Sequence, residues 1–450
     1  MACAAVSSHF ARDEKDVADE VAPQLAKERA TQWLGDFDGA AKLAEAVLER
    51  VRKGGSPALV SQALFRFADA KSRTSAVDDG VRALYESAWA AEAAHDDETA
   101  ARAWSALPAL VGLVQGRFDE ANLLQRQAQA AVERAGNAPE LVCGLAGGTL
   151  LWKQGKLEEA LLQEKRTAEA CERAFGPDHF SNATSLGNIG SEESLLGRYD
   201  AALADEQRAA AALERILGPN HPFLALAIDN VACTFEDLGR QSEALPIARR
   251  AIGITERSVG SEHPNMAANM TVLGKILRDL GERTEARTMF DRALAIDERA
   301  GRDTASVAGV LQERAILSNA EARWADAEKD LLRSIAIEEH ADPRHYDLVP
   351  GYVALGTTYC ATARFPLALQ AHLRAVALAT KVLGTTHPQY AAALVALGET
   401  LLAMNKPGDA LPRLSEAVTV LEAHPADASL LTAAREALAR AHTRSSAGPG

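Results

Sequence analysis

The strongest constraint on this chain is a spacing of small residues that recurs from one end to the other. Starting from Ala244, a small residue returns every 39–42 residues in both directions. These positions are Ala40, Gly80, Ala121, Ala160, Ala202, Ala244, Ala286, Ala327, Ala368 and Ala410. Further small residues lie twelve before and seven after most of them. A repeat of this length cannot bury an apolar face alone, so the pattern predicts a stack of similar units.

One unit, residues 221–264, indicates how each repeat folds. Residues 222–238 carry apolar side chains at a mostly helical spacing, and Gly239 is suited to end that helix. A second helix is predicted from an N-cap at Ser242 to about residue 259, before Gly260. Because the turn between the two helices is so short, they must be antiparallel.

The triple spacing of small residues resembles the tetratricopeptide repeat, whose consensus has small residues at matching places. The period of 42, with the linkers FGPDHF, LGPNHP and VGSEHP, resembles the kinesin-light-chain subtype. We therefore expect an all-α fold, a right-handed α-solenoid of about ten antiparallel helix pairs with a C-terminal capping helix. The resemblance covers nearly the whole chain.

The regularity of the repeats varies along the chain and suggests its subdivision. The predicted segments are a frayed lead-in (1–12), degenerate repeats (13–137), consensus-like repeats (138–300), variant repeats (301–425), a capping helix (426–444) and a disordered tail (445–450). Pro108 falls inside a predicted helix and should kink it or leave one turn irregular.

Charge and cysteine content bear on location and partners. The net charge of −14 argues against a general nucleic-acid or anionic-membrane surface. Five cysteines lie far apart without a C-x-x-C motif, a pattern that fits a reducing compartment. The N-terminus has no secretory pattern, and no segment approaches the ~20 apolar residues of a membrane span. We expect a cytoplasmic protein that binds neither nucleic acid nor membrane, with self-association left open.

No catalytic motif is present, and we expect neither an enzyme nor a cofactor or metal site. The recurring histidines are His179, His221, His263 and His387, each nineteen residues after an anchor. Stacked repeats lie at least ~8–10 Å apart per layer, so one ion cannot gather these side chains. The better interpretation is that His-Pro closes one helix pair and opens the next, with proline suited to the first helical turn.

The remaining candidate is a binding surface on the first helix of each pair, which lines the inside of such a solenoid. The inward residues proposed to bind a peptide are Asn188, Asp229, Asn230, Lys275, Arg278, Gln312 and Asn319. The resemblance implies that asparagines at positions 188 and 230 can hold the main chain of an extended peptide, since a carboxamide both donates and accepts. The alternative is that both face solvent. Lys275 and Arg278 are placed to meet an acidic group.

Three function classes follow. The leading one is a non-catalytic scaffold that binds a protein or peptide segment along its concave face. The Ala-rich stretch AAEAAHDDETAARAW also resembles the repeat region after the catalytic domain of large bacterial serine/threonine kinases. That resemblance implies a regulatory or sensor module of a kinase signalling system, detached from its catalytic domain. An RNA-binding repeat would need basic base-reading positions, whereas Asp229 and Glu236 are predicted to face inward.

Overall fold

The computed structural model describes residues 2–33, 36–74, 76–115, 117–145, 147–153, 156–299, 305–341, 346–423 and 428–446. Every regular element in these ranges is helical. The helices are α1 (Ala2–Trp33), α2 (Phe37–Arg52), α3 (Pro57–Ser72), α4 (Val77–Ala93), α5 (Asp97–Ala109), α6 (Phe118–Arg134), α7 (Pro139–Cys143), α8 (Gly147–Lys153), α9 (Leu157–Phe175), α10 (Phe180–Leu195), α11 (Tyr199–Leu217), α12 (Pro222–Asp237), α13 (Gln241–Ser258), α14 (Pro264–Asp279), α15 (Arg283–Arg299), α16 (Ala305–Ala320), α17 (Trp324–Ala341), α18 (Leu348–Ala361), α19 (Phe365–Val382), α20 (Pro388–Ala403), α21 (Pro407–Glu422) and α22 (Ala428–Ser446).

Within the described residues, the helices follow one another as ten pairs and a lone terminal helix. Chain neighbours such as α3 and α4, α12 and α13, or α20 and α21 pack against each other. In the fourth helix pair the first helix is divided into α7 and α8. The last helix, α22, packs on α20 and α21, as expected of a cap. The predicted all-α solenoid of antiparallel helix pairs is therefore confirmed.

Two compact units make up the chain, and each has its own apolar core. The first comprises residues 1–153 and 162–176, and the second comprises residues 154–161 and 177–450. The core of the first unit runs from Val17 to Leu150, and the main core of the second begins at Ala183. No described helix is both long enough and apolar enough to span a bilayer.

The repeated small residues lie where the helices come closest. All nine anchor alanines have no exposed surface. In α14, a Cβ atom added to Gly274 would stand 2.6 Å from the ring of Phe290 in α15. Cβ atoms essentially never lie this close to another heavy atom, so an added side chain would force the helices or the Phe290 ring to move. The glycine therefore allows the two helices to approach this closely. The repeated spacing of small residues in the sequence therefore reflects contacts between helices.

Several local details differ from the sequence-based expectation or refine it. The predicted N-cap Ser242 is wrong, because α13 already begins at Gln241 and Arg240 occupies the cap without a side-chain bond. Pro108 lies near the end of α5 and is followed by a π-helical turn, Leu110–Val114, which is the irregular turn predicted there. Helix α1 begins at Ala2, within the segment expected as a lead-in, and residues 447–450 of the expected tail lie outside the described residues.

The linker histidines are helix N-caps. In His179, His221, His263 and His387 the Nδ1 atom accepts a hydrogen bond from the backbone N–H two residues later, at 3.0–3.2 Å. An accepting Nδ1 means that the neutral ring carries its proton on Nε2. The imidazole therefore accepts the backbone hydrogen bond that a serine or aspartate side chain usually accepts at an N-cap. Among the described residues, no group of three or more His, Cys, Asp or Glu side chains is arranged to hold a metal.

Two cysteines form a disulfide, although the spacing of the five cysteines fits a reducing compartment. Cys143 at the end of α7 is bonded to Cys171 in α9, with their Cα atoms 4.9 Å apart. The sequence separation of 28 residues gave no hint of this contact, because neither cysteine belongs to a known spacing motif. Persistent disulfides are typical of oxidising compartments. The cytoplasmic location therefore stays a prediction that this bond does not support.

The close approach at Gly274 can be tested by adding one methyl group. We expect Gly274→Ala to destabilise the protein by about 1–3 kcal/mol, because the Phe290 ring must move. The matched control is Gly309→Ala in α16, where nothing lies within 4 Å of the added Cβ, and which should stabilise its helix by about 0.5–1 kcal/mol. Urea unfolding of the full chain measures both. Equal shifts for the two variants would contradict the proposed contact.

Reduction tests the disulfide. Closing a loop of this length is worth about 3.5 kcal/mol, so a reductant should lower the thermal stability of the first unit. The control is the Cys143→Ser/Cys171→Ser double variant, whose melting should not respond to reductant. A non-reducing tryptic digest should also contain the two peptides linked. Finding them separate in the oxidised protein would refute the bond.

Candidate functional site

The first helices of successive pairs lie side by side in the second unit. Contacts join α10 to α12, α12 to α14, α14 to α16, α16 to α18 and α18 to α20. All seven residues predicted from the sequence stand on four of these helices, α10, α12, α14 and α16. The face formed by these first helices is the candidate site.

Hydrogen bonds tie α10 to α12 across this face. The carboxamide Nδ2 of Asn230 donates to the Oγ atom of Ser191 at 3.1 Å. One turn further on, the hydroxyl of Ser194 donates to Oδ2 of Asp237, also at 3.1 Å. Asn188, the equivalent of Asn230 in the preceding repeat, is exposed. The two predicted asparagines therefore stand on neighbouring helices, and the side chain of Asn230 is oriented by its hydrogen bond to Ser191.

Ion pairs continue the connection to α14 and α16. The Nζ atom of Lys275 lies 2.8 Å from Oε2 of Glu236, and both side chains are at most one-quarter exposed. Arg278 pairs with Glu313 on α16, and its Nε atom is 2.7 Å from Oδ1 of Asp279. The basic pair predicted to meet an acidic partner is therefore occupied by carboxylates of the chain itself.

Asn319 makes the last of these links, from α16 to α18. Its Nδ2 donates to the carbonyl oxygen of Ala354 at 3.2 Å, and its Oδ1 accepts from Thr358 Oγ1 at 2.8 Å. We call these polar side chains, which link neighbouring first helices, the polar ladder. It comprises Ser191, Ser194, Asn230, Glu236, Asp237, Lys275, Arg278, Asp279, Glu313, Asn319 and Thr358.

Charge in the polar ladder is unbalanced. Four carboxylates share two cations, Lys275 and Arg278. Burial disfavours the charged form of Lys275, but Glu236 and Glu313 outweigh it and raise the pKa of that amine well above its usual value. Burial raises the pKa of Asp237 to about 6, although Lys275 opposes this. Burial likewise raises the pKa of Asp279 against the pull of Arg278. The site is thus short of positive charge.

Two of the predicted residues lie in the packing between helices and not on an accessible surface. Asp229 is 4% exposed, and its Oδ2 accepts from Asn269 Nδ2 at 2.7 Å. Asn269 in turn accepts from Thr255 of α13 at 2.6 Å. Gln312 is also buried, and its amide oxygen occupies the space beside Gly351 of α18. In both cases the contact comes from the first helix of the next repeat.

Asp229 has an unusual environment for a carboxyl group. Its Oδ1 atom is buried and has no hydrogen-bond partner in the described structure. Burial raises the pKa of Asp229 to about 7, and the bond from Asn269 only partly offsets this. A second carboxyl that the sequence analysis missed, Glu206 on α11, resembles it. Glu206 is 2% exposed, accepts from Thr234 at 2.7 Å, and has a pKa raised by burial to about 7. Its position among the buried alanines of α11, Ala202 and Ala209, was the available signal.

A cavity of about 580 Å³ lies at the C-terminal ends of α12 and α14. Residues from the two ends of the second unit line it: Tyr199, Glu236, Asp237, Leu238, Gly239, Gln241 and Asp279 on one side, and Pro388, Gln389, Ala392, Ser429 and Leu430 on the other. The sequence analysis did not predict it, because its walls belong to repeats that are distant along the chain.

A hydrogen bond near this cavity connects the same two ends. The Nε2 atom of His387 lies 2.5 Å from the carbonyl oxygen of Leu195, across 192 residues of sequence. Since Nδ1 of His387 accepts from the backbone N–H of Gln389, Nε2 carries the ring proton and donates to Leu195. The N-terminus of α20 is thereby held against the C-terminus of α10.

The buried carboxyl of Asp229 predicts a pH effect. With its pKa raised, the folded state keeps the proton after the unfolded state has released it. Stability is therefore full below the unfolded pKa near 4 and falls as the pH rises towards 7. Between pH 5 and pH 8, wild type should lose about 1–3 kcal/mol relative to Asp229→Asn, as measured by urea unfolding at each pH.

The two proteins are compared by how their free energy of unfolding changes with pH. A loss of stability that the substitution causes equally at every pH therefore does not affect the result. Asp291→Asn, at an exposed position of α15, controls for loss of one carboxylate. Parallel profiles for wild type and Asp229→Asn would show that Asp229 is not protonated in the folded protein.

Comparison with known proteins finds similar solved structures. No curated protein matches the sequence. Among solved structures, a putative kinesin light chain with nearly identical TPR-like repeats from Podosopora anserina shares 21% identity, covering 45% of this chain and 96% of that chain, with a TM-score of 0.37. BtubC (BKLC) from P. vanneervenii shares 20% identity, covering 51% and 92%, with a TM-score of 0.40. A Rap protein complexed with Competence and Sporulation Factor shares 15% identity, covering 94% and 99%, with a TM-score of 0.49.

Family models identify the repeats directly. One model described as tetratricopeptide repeat matches residues 145–215, 193–257 and 347–423, and a second with the same description matches residues 267–300. The matches include α10, α12 and most of α14, three of the four helices on which the candidate site stands, but not α16. Residues 145–257, 267–300 and 347–423 of this chain are therefore tetratricopeptide repeats.

Proposed function

We propose that this chain is a non-catalytic scaffold that binds a protein or peptide segment along the first helices of its second unit. Tetratricopeptide repeats suit a protein-interaction scaffold because stacking places one helix face per repeat along a continuous surface. Here those faces belong to α10, α12, α14 and α16, which lie side by side. An extended segment can then contact several repeats at once.

The observation that carries this proposal is the pair Asn188 and Asn230. Asn188 is exposed, and the carboxamide of Asn230 on the next helix is held by Ser191. That bond uses one N–H of the amide and leaves its Oδ1 to accept from a peptide N–H. Because the side chain is already oriented, binding would cost less rotamer entropy than with a mobile side chain. Two amides on adjacent helices suit a two-point grip on a peptide main chain.

The basic pair has a different role in this proposal from direct contact with an acidic partner. Lys275 and Arg278 are largely covered and paired with Glu236 and Glu313. Drawing either cation towards a partner would leave a carboxylate without its counter-ion, which is costly in a partly buried site. We therefore propose that the pair positions the carboxylates and holds three first helices in register.

The proposal is tested by removing the oriented amide. Capture a partner from the source cell with the full wild-type chain, map the bound segment, and measure its affinity by calorimetry. Asn230→Ala should weaken binding by about 0.5–1.5 kcal/mol, or roughly two- to tenfold, the net value of an ordinary hydrogen bond.

Asn265→Ala is the matched control, because Asn265 is exposed in the first turn of α14, away from the ladder. It should leave the affinity unchanged, and both variants should keep the wild-type helix content. Identical affinities for wild type, Asn230→Ala and an Asn188→Ala/Asn230→Ala double variant would rule out this face as the binding surface.

A further inference from the structure

We propose that the Cys143–Cys171 disulfide is a redox-sensitive switch, which a low-molecular-weight thiol opens to release α7 and α8 from the core of the first unit. The bond joins the end of α7 to α9, and both cysteines belong to the first unit. This switch is independent of the proposed binding surface, because it lies in the fourth helix pair and not on the first helices of the second unit.

The first helix of the fourth pair is too short and too divided to be stable by itself. Its two parts, α7 and α8, have five and seven residues, whereas α10, α12, α14 and α16 have sixteen each. Starting a helix fixes several residues for a single hydrogen bond, so helices this short are not stable without contacts to the rest of the protein. The order of α7 and α8 therefore depends on how they are attached.

Packing attaches α7 to the preceding pair, and the disulfide attaches it to its own pair. Helix α7 packs against α5, whereas its covalent bond runs to Cys171 in α9. The tetratricopeptide-repeat match begins at residue 145, so α7 lies outside the matched repeat and α9 lies inside it. The bond thus fastens an irregular segment to a helix of a regular repeat. Because it closes a loop across a separation of 28 residues, it strongly restricts the unfolded segment.

Buried leucines of α7 and α8 cover the core of the first unit. Leu141 and Leu150 are 5% and 2% exposed and belong to the same core as Leu107 and Val111, which have no exposed surface. The side chain of Leu150 fills the space beside Gly112 in the π-helical turn, where an added Cβ would lie 2.5 Å from it. Each layer of a repeat array is covered only by its neighbours. Release of α7 and α8 would therefore expose Leu107 and Val111 to water.

The two cysteines differ in exposure, which determines where a thiol attacks. Cys143 is half-buried and precedes the exposed Gly144, whereas Cys171 is 1% exposed. Thiol–disulfide exchange requires access of the attacking thiolate to a sulfur atom. The attack is therefore directed at Sγ of Cys143, with Sγ of Cys171 as the leaving group.

Opening proceeds in two exchange steps. The thiolate of the small thiol forms a bond to Sγ of Cys143, the Cys143–Cys171 bond breaks, and Sγ of Cys171 keeps its electron pair and takes up a proton. A second thiolate attacks the small-molecule sulfur of this mixed disulfide, and Sγ of Cys143 leaves and takes up a proton. The protein disulfide is thereby reduced by two electrons, and two small thiols are oxidised to one small disulfide. The small disulfide closes the protein bond again by the reverse steps.

A reversible bond also accounts for the cysteine content of the chain. The spacing of the five cysteines fits a reducing compartment, yet two of them are bonded. In such compartments disulfides are usually transient and either catalytic or redox-sensing. Cys233 and Cys360 in the second unit are free thiols. The bonded pair is therefore the group whose state can follow that of the surrounding thiols.

The experiment titrates the full oxidised chain with reduced and oxidised glutathione in graded ratios. Alkylation of free thiols, followed by mass spectrometry, gives the fraction of the bond that is open, and hydrogen–deuterium exchange on the same samples gives the protection of α7 and α8. We expect the bond to open as the share of reduced glutathione rises towards that of a reducing compartment. Exchange in α7 and α8 should then become more than about a hundredfold faster, because the open segment is no longer confined to a closed loop. Exchange in α12 and α14 should not change.

Two double variants separate the bond from the other cysteines. Cys143→Ser/Cys171→Ser should show fast exchange in α7 and α8 at every glutathione ratio, with α12 and α14 still protected. The matched control is Cys233→Ser/Cys360→Ser, which removes the two free thiols and keeps the bond. It should respond to glutathione as wild type does. In wild type, oxidised glutathione should restore the protection of α7 and α8.

Three outcomes would overturn the proposed switch: the bond stays closed in an excess of reduced glutathione, it opens without faster exchange in α7 and α8, or oxidised glutathione does not restore their protection. The first outcome would make the bond a permanent support, and the second would mean that packing alone holds the segment. Loss of protection in α12 and α14 on reduction would also contradict a switch confined to the fourth helix pair.

Discussion

Two helices of this chain can approach closely only where one of them presents no bulky side chain. Gly274 receives the ring of Phe290, and a Cβ on Gly398 would meet Leu414 at 2.5 Å. The space left by each glycine is filled by a side chain of the paired helix, so the two positions are complementary in shape. The packing of every later layer, and with it the alignment of the first helices, depends on this contact. The pairing of side chains in the polar ladder therefore depends on the positions of glycine and alanine as well as on the polar residues themselves.

The sequence predicted the fold well because a repeated contact leaves a repeated residue. Small side chains at one spacing were enough to place ten helix pairs. Features that occur once left no such trace, as the Cys143–Cys171 bond illustrates. For the candidate site, the period identified the correct face but not the partners on it. Whether Lys275 meets a ligand or Glu236 depends on the angle and distance between neighbouring helices, which a period does not contain. The kinase-associated role rests on sequence resemblance alone and stays a prediction.

The polar ladder also shows why charge is tolerated on a partly covered face. A single buried ion would be very costly, whereas each cation here has a carboxylate from an adjacent helix. Such pairs are specific in register, because shifting one repeat by a turn would separate both partners. Their excess of acid over base is the part that packing does not explain.

The bond from His387 to Leu195 changes how the second unit should respond to strain. An open array of repeats transmits damage only from neighbour to neighbour, and its two ends unravel independently. Here the start and the end of the array are in direct contact, so loosening either end removes an interaction from the other. The first and last helix pairs of the second unit are therefore in contact. Their unfolding becomes coupled, which contacts between sequence neighbours alone cannot provide. Insertion or loss of one repeat would break that contact, so the number of repeats between α10 and α20 is itself constrained.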